Sequence, residues 1–178
     1  MKKISILYES AEGHTLHVAE RISNTLAGAD CETTVCRSKH ATAEMLTDVD
    51  GILLGGSIHM GRHHGKLLKF VEHNRESLNH TPTALFLVCL TAKDHSPEAQ
   101  ALVNGFFKDF ETRTGFTPSH TVAVAGALKY TRYNFFKRSI MKSISEKEGG
   151  DIDTSKDYIY TDWDAVDAFA TTFLQRLV

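Results

Sequence analysis

The sequence predicts an α/β fold of the doubly wound kind, a parallel sheet with helices packed on both faces. Three observations lead there. Short apolar runs of strand length alternate with segments whose apolar residues recur at helical spacing. The runs in the middle of the chain are apolar throughout, as strands buried on both faces are. Several runs then end in loops rich in glycine and hydroxyl residues, placed where a strand hands over to a helix. Right-handed crossovers turn that alternation into a doubly wound sheet, with ligands held beyond the carboxyl ends of its strands.

The elements read off in order. Ile4 to Tyr8 forms a first strand, and Leu16, Ala19, Ile22 and Leu26 mark a helix that stops at Gly28. "CETTVCR", 31–37, is β-branched and alternating, which fits an edge strand. "DGILLGGS", 50–57, fits a buried parallel strand, and Leu67, Leu68 and Val71 mark the next helix. "TALFLVCL", 83–90, is the most apolar run and is expected in the sheet's centre, followed by a helix through Leu102, Phe106 and Phe110. "HTVAVAGAL", 120–128, is a strand again. Val166, Phe169, Ala170, Phe173, Leu174 and Leu177 stripe the last helix, which Asp162 caps and Trp163 begins as a packing residue.

Composition narrows the class. A chain of 178 residues with 42% hydrophobic content supports a single domain, 1–178, around one substantial core. A net charge of -2 argues against nucleic acid as a partner. Cys31, Cys36 and Cys89 form no CxxC pair, so they read as reduced cytoplasmic thiols, Cys89 as a small core residue. The apolar region of "MKKISILYES" is too short for a secretory signal, and no run reaches transmembrane length. Membrane contact is therefore expected to be peripheral.

The loop after the first strand, Ser10, Ala11, Glu12, Gly13, His14 and Thr15, has the makings of a phosphate cradle. Hydroxyls of Ser10 and Thr15, the freedom of Gly13 and the N–H groups of a helix start all suit an anion. It is neither a Walker loop nor GxGxxG, which disfavours a nucleoside triphosphate or NAD held in the Rossmann manner. Glu12 is awkward there: its side chain must point to solvent, or like-charge repulsion weakens the site. The alternative is an ordinary turn capped by Ser10 or Thr15.

Two more loops fall at the same sheet edge. In "GGSIHMGRHHG", 55–65, Gly55 and Gly56 let a flat ligand approach, and Ser57, Ile58, His59, Met60 and Gly61 flank one side of it. Cys89, Leu90, Thr91 and Ala92 flank the other, with Gly126 nearby. His59, His63 and His64 read as ring contacts or proton exchangers rather than a zinc site, which needs more ligands. A phosphate loop with two ring-flanking loops suits flavin mononucleotide, FMN.

The loop order resembles that of flavodoxins, although "SAEGHT" departs from their phosphate-loop pattern at Glu12. "GSIHMGRHHG", "AGALKYTRY", "GGDIDT" and "YTDWDAV" more closely resemble the flavodoxin-like, quinone-dependent protoporphyrinogen oxidase family, departing at Thr131 and in "NFFKR". That resemblance implies a five-stranded parallel sheet in the order 2-1-3-4-5. It also implies an insertion, 129–155, that splits the last strand, with "DYIYTD" completing it. The implied activity is FMN-dependent oxidation of protoporphyrinogen IX in haem biosynthesis, with a membrane quinone reoxidising the flavin. The implied location is the cytoplasmic face of the membrane.

The first part of the insertion, "KYTRYNFFKRSIMKSISEKEGG", 129–150, is basic, carrying Lys129, Arg132, Lys137, Arg138, Lys142 and Lys147 against Glu146 and Glu148. Its apolar residues are Tyr130, Tyr133, Phe136, Ile140, Met141 and Ile144. Such a helix suits an anionic membrane surface or a porphyrinogen's propionates, and otherwise a solvated cover for the sheet. Tyr130, Arg132, Tyr133, Lys137 and Arg138 are the expected substrate or membrane contacts. No catalytic base stands out. The rivals are a flavodoxin-type electron carrier, an NAD(P)H-dependent quinone or nitro reductase and a flavin-free binding module.

Overall fold

In the computed structural model, which describes residues 1–147 and 149–177, five long strands run parallel in one sheet. They are β1 (Lys2–Tyr8), β2 (Cys31–Arg37), β3 (Gly51–His59), β5 (Thr83–Cys89) and β6 (His120–Ala125). The order β2-β1-β3-β5-β6 is the expected 2-1-3-4-5, because β4 (Arg62–His63) is a two-residue strand folded back on β3. Its partners Ile58↔His63 and His59↔Arg62 leave Met60 and Gly61 as a two-residue turn. Both have positive φ, 49° and 71°, the geometry a tight hairpin needs. The expected loop 55–65 is thus largely strand and hairpin.

Strand alternation sorts the core onto two faces. Ile4, Ile6, Tyr8, Phe86, Val88 and Val124 point toward α1 (His14–Ala27) and α7 (Trp163–Gln175), where Val18, Ile22, Phe169 and Phe173 meet them. Leu7, Leu54, Leu85 and Leu87 point the other way. They meet Leu67 and Val71 of α3 (Gly65–His73) and Phe110 of α5 (Pro97–Thr114). The short helices α2 (Glu44–Thr47) and α4 (Arg75–His80), without a clear period in sequence, add Leu46 and Leu78 to that second core. β5 is buried along its whole length, whereas β2 lies at an edge.

Gly55 and Gly56 make room for the core. A Cβ on Gly55 would lie 2.2 Å from Phe86 Cζ, and one on Gly56 would lie 2.5 Å from Leu67 Cδ2. Each glycine leaves room for a large side chain crossing the strand on its own face.

The insertion also departs from expectation. β6 stops at Ala125, and β7 (Ala127–Leu128) pairs antiparallel with β8 (Tyr158–Ile159) in a separate ribbon. "DYIYTD" therefore does not complete the last strand of the sheet. Gly126 makes the break, its N–H donating to Cys89 O at 3.1 Å and its carbonyl accepting from Tyr160 N–H at 3.1 Å. The insertion then builds a small core of its own from Leu128, Tyr130, Tyr133 and Met141, the last on α6 (Phe135–Lys147). Tyr130 is completely buried, edge-on to Tyr133 and Tyr158, and its hydroxyl donates to Asp151 O at 2.8 Å. Glu148 and the side chain of Lys147, both counted in the insertion's charge, lie outside the described residues.

Candidate cofactor site

The carboxyl ends of β1, β3 and β5 converge on one cleft, where a doubly wound sheet holds its ligand. Its walls bring together Ser10, Ala11, Glu12, His14 and Thr15 from the first loop, and Ser57, Ile58 and His59 from β3. Cys89, Leu90 and Gly126 close it from the β5 and β6 ends. Three loops read separately in sequence thus meet in one place. Met60, Gly61 and Thr91 line the depression beside this cleft, and Ala92 a separate hollow flanking β6.

The first loop is organised by hydrogen bonds that leave the helix start open. Ser10 Oγ accepts from Gly13 N–H at 2.8 Å, and Ser57 Oγ accepts from Ala11 N–H at 3.3 Å. Gly13, at φ 89°, occupies the N-cap position of α1, and no side chain caps the helix among the described residues. Of the two caps in the expected alternative, Ser10 does close the turn ahead of the helix through Gly13 N–H, whereas Thr15 caps nothing among the described residues. α5 and α7 do receive side-chain caps, from Ser96 and from Asp162 as expected. The first-turn amides of His14 and Thr15 have no acceptor within the helix. Thr15 Oγ1 and His14 Nδ1 are buried and have no partner among the described residues. A buried hydroxyl and free amides converging on a helix start fit an anion.

His14 is fixed in one tautomer. Thr161 Oγ1 donates to Ala125 O at 2.7 Å, so it accepts from His14 Nε2–H, also at 2.7 Å. Nδ1 is left bare. Burial, reinforced by Lys129 and His17, lowers the His14 pKa to about 4, so the ring is neutral at physiological pH.

Glu12 does not point to solvent as expected. Its carboxylate accepts from Tyr133 Oη at 2.8 Å and pairs with Lys137. His59 Nδ1 lies 3.8 Å away. The insertion's charge neutralises it, which removes the repulsion that made Glu12 awkward in a phosphate loop. Tyr133 Oη also accepts from Lys129 N–H at 3.2 Å. Burial, then the bond to Glu12, pushes its pKa well above the usual phenol range.

Other expected contacts turn out to be structural. Arg138 donates to the carbonyls of Tyr130 and Tyr133, at 3.1 and 3.2 Å. His63 is buried against α5 with Nε2 donating to Phe106 O at 2.9 Å, and burial lowers its pKa. It is no ring contact, since a histidine on β4 faces the second core. His64 stands at the N-cap of α3 with Nδ1 buried.

A second, larger depression adjoins the cleft and shares Ile58, His59, Cys89, Leu90 and Met141 with it. Met60, Gly61, Lys93, Leu102, Ile144 and Tyr160 also line it, along with the carboxylates Asp94 and Glu98, so α6 forms one of its banks. Sequence reading placed Lys93 in the ring-flanking loop 89–95 but gave neither it nor Tyr160 a role of its own. Lys93 Nζ sits 4.9 Å from the Tyr160 ring centre, a pairing with no local signature.

Fold and cleft together define a member of the flavodoxin domain family, whose model matches residues 5–155. Within it, the chain belongs to the family of the quinone-dependent protoporphyrinogen IX dehydrogenases. It is 33% identical over 174 residues to the Leishmania major protein of that name, covering 96% of this chain and 74% of the relative. It is 30% identical over 169 residues to the Escherichia coli K12 protein, covering 94% and 92%. Among solved structures, a short-chain flavodoxin associated with a PDU bacterial microcompartment superposes with a TM-score of 0.62 at 12% identity, each chain fully covered. That last likeness speaks to the fold alone.

Proposed function

We propose that the chain binds FMN in the cleft and uses it to oxidise protoporphyrinogen IX, passing the electrons to a membrane quinone. The observation that carries this reading is the adjoining depression, which would give a flat, partly apolar electron donor room beside the flavin ring, under α6. The two named relatives point the same way. The anion site fits the phosphate of FMN, with Ser10 shaping the loop and Thr15 and the first-turn amides facing the charge.

Bound FMN supplies two-electron exchange between the porphyrinogen and the quinone. Each such exchange removes two electrons and two protons from the porphyrinogen and leaves a hydroquinone, so the overall step balances. The chain binds, orients and shields. Ile58, Leu90 and Cys89 give the cleft apolar walls, and Met141 and Ile144 of α6 close the outer bank. Lys93 is the cation best placed to meet a propionate.

α6 turns Phe135 and Phe136 outward, 88% and 74% exposed, beside the exposed Lys142. That face suits insertion at an anionic lipid surface, where the quinone resides, and would hold the protein at the inner face of the membrane. No helix among the described residues is long and apolar enough to cross a membrane.

The test is to load the protein with FMN, add protoporphyrinogen and a menaquinone analogue, and follow porphyrin fluorescence. A rise well above autoxidation, dependent on both flavin and quinone, is expected. No rise would leave an electron carrier. Quinone reduction driven by NAD(P)H but not by porphyrinogen would instead support the reductase reading.

A further inference from the structure

Resting on the FMN reading above, we infer that Arg132, from the insertion, is a cation that binds the flavin's phosphate. The backbone places it there. Arg132 Nη1 lies 3.5 Å from where a Cβ on Gly13 would stand, directly over the turn of the anion loop. Gly13 precedes the first helical residue of α1, so a charge at this spot stands just ahead of the helix start and its open first-turn amides.

Neighbouring contacts hold this position in register. Glu12 and Tyr133 are hydrogen-bonded at 2.8 Å, and each is the immediate neighbour of one member of the pair Gly13 and Arg132. Lys137, one helical turn further on, closes the same junction by pairing with Glu12. The insertion therefore clips onto the loop through Glu12 and carries Arg132 across Gly13. Glu12, the residue that departs from the flavodoxin loop pattern, is the clip that admits an arginine from another segment.

The charges around the loop divide the work. Lys137 is occupied by Glu12. Asp157 is bonded to Thr131 N–H and Oγ1, both at 2.9 Å, and sits close enough to Arg132 and Lys129 to feel both charges. The Arg132 side chain makes no hydrogen bond or ion pair among the described residues and is exposed, free to turn its guanidinium onto a phosphate. An arginine fork matches a phosphate's oxygens in paired contacts, which a lysine does not reproduce. Lys129 is the rival cation, since its charge is felt at His14.

The experiment measures quenching of flavin fluorescence for the whole protein and for Arg132→Ala, Arg132→Lys and Lys129→Ala. Each is titrated with FMN and with riboflavin, which lacks the phosphate. The expected result is a roughly tenfold or greater weakening for FMN in R132A. Riboflavin should change less than about twofold, R132K should recover part of the loss, and the salt dependence of FMN binding should become shallower. FMN affinity unchanged in R132A overturns the inference, and so does a larger loss in K129A than in R132A. Equal weakening for FMN and riboflavin also overturns it, since that is the mark of a merely structural role. Wild-type protein that quenches neither flavin contradicts the FMN reading itself, a failure distinct from these.

Discussion

Thr15 has a buried hydroxyl with no partner among the described residues, which costs folding energy unless a ligand uses it. Replacing it by valine keeps its shape and removes the orphan. The apo protein should melt at the same temperature or higher, while FMN affinity falls roughly tenfold or more. A parallel fall in both would mean that the hydroxyl has a structural partner instead. His14 gives a pH signature. Its folded pKa of about 4 lies below the unfolded value near 6.5, so the unfolded state binds the extra proton between those limits. Stability is full above about pH 6.5 and drops as pH falls toward 4, by roughly 2 kcal/mol once solvent at the cleft mouth is allowed for. Urea midpoints across that range should fall more steeply for the wild type than for His14→Gln. Identical slopes would show that His14 is not held neutral by its burial. At this scale the anion loop was legible because hydroxyls, a glycine and a helix start sit side by side in the chain. The partners of Glu12 were not, because Tyr133 and Lys137 come from 121 and 125 residues away. His63 misled for the same reason, its partner being a carbonyl on α5.

Helices and strands were the most legible level, since periodicity is a local signal. The parallel strands and the helices α1, α3, α5 and α7 lie where the apolar spacing put them. What the pattern could not show is that Gly55 and Gly56 sit within β3 and accommodate Phe86 and Leu67. Gly55→Ala should therefore lower stability by about 1–3 kcal/mol in urea unfolding. An unchanged midpoint would mean that the Phe86 ring swings aside freely. The antiparallel ribbon of β7 and β8 was equally hidden, because it depends on tyrosines packing among themselves rather than on the sheet. The outward face of α6 carries its own expectation. Replacing Phe135 and Phe136 together by serine should abolish sedimentation with anionic liposomes and leave FMN affinity within about twofold, since neither residue lines the cleft. Liposome binding that survives would remove α6 as the membrane contact.

The whole molecule is a five-stranded platform with a clip-on arm. Among the described residues the two large cores draw none from 129–148, so the platform should fold without that segment. Replacing 129–148 by a short glycine-serine linker should leave a cooperatively folding protein that binds FMN more weakly, by the share Arg132 supplies, and has lost porphyrinogen oxidation. Oxidation that persists would deny the arm its role. The central claim is that the cleft beyond β1, β3 and β5 takes FMN by its phosphate. Ligand binding to the native state raises stability by mass action, about 2.7 kcal/mol at a hundredfold excess over Kd, which for this size is roughly 5–10 °C in melting temperature. Thermal melting of the intact protein with FMN, beside riboflavin at the same concentration, tests that claim most directly. A saturating rise of that order with FMN, and a clearly smaller one with riboflavin, is the expected result. Melting unmoved by FMN, or moved equally by both flavins, would contradict it.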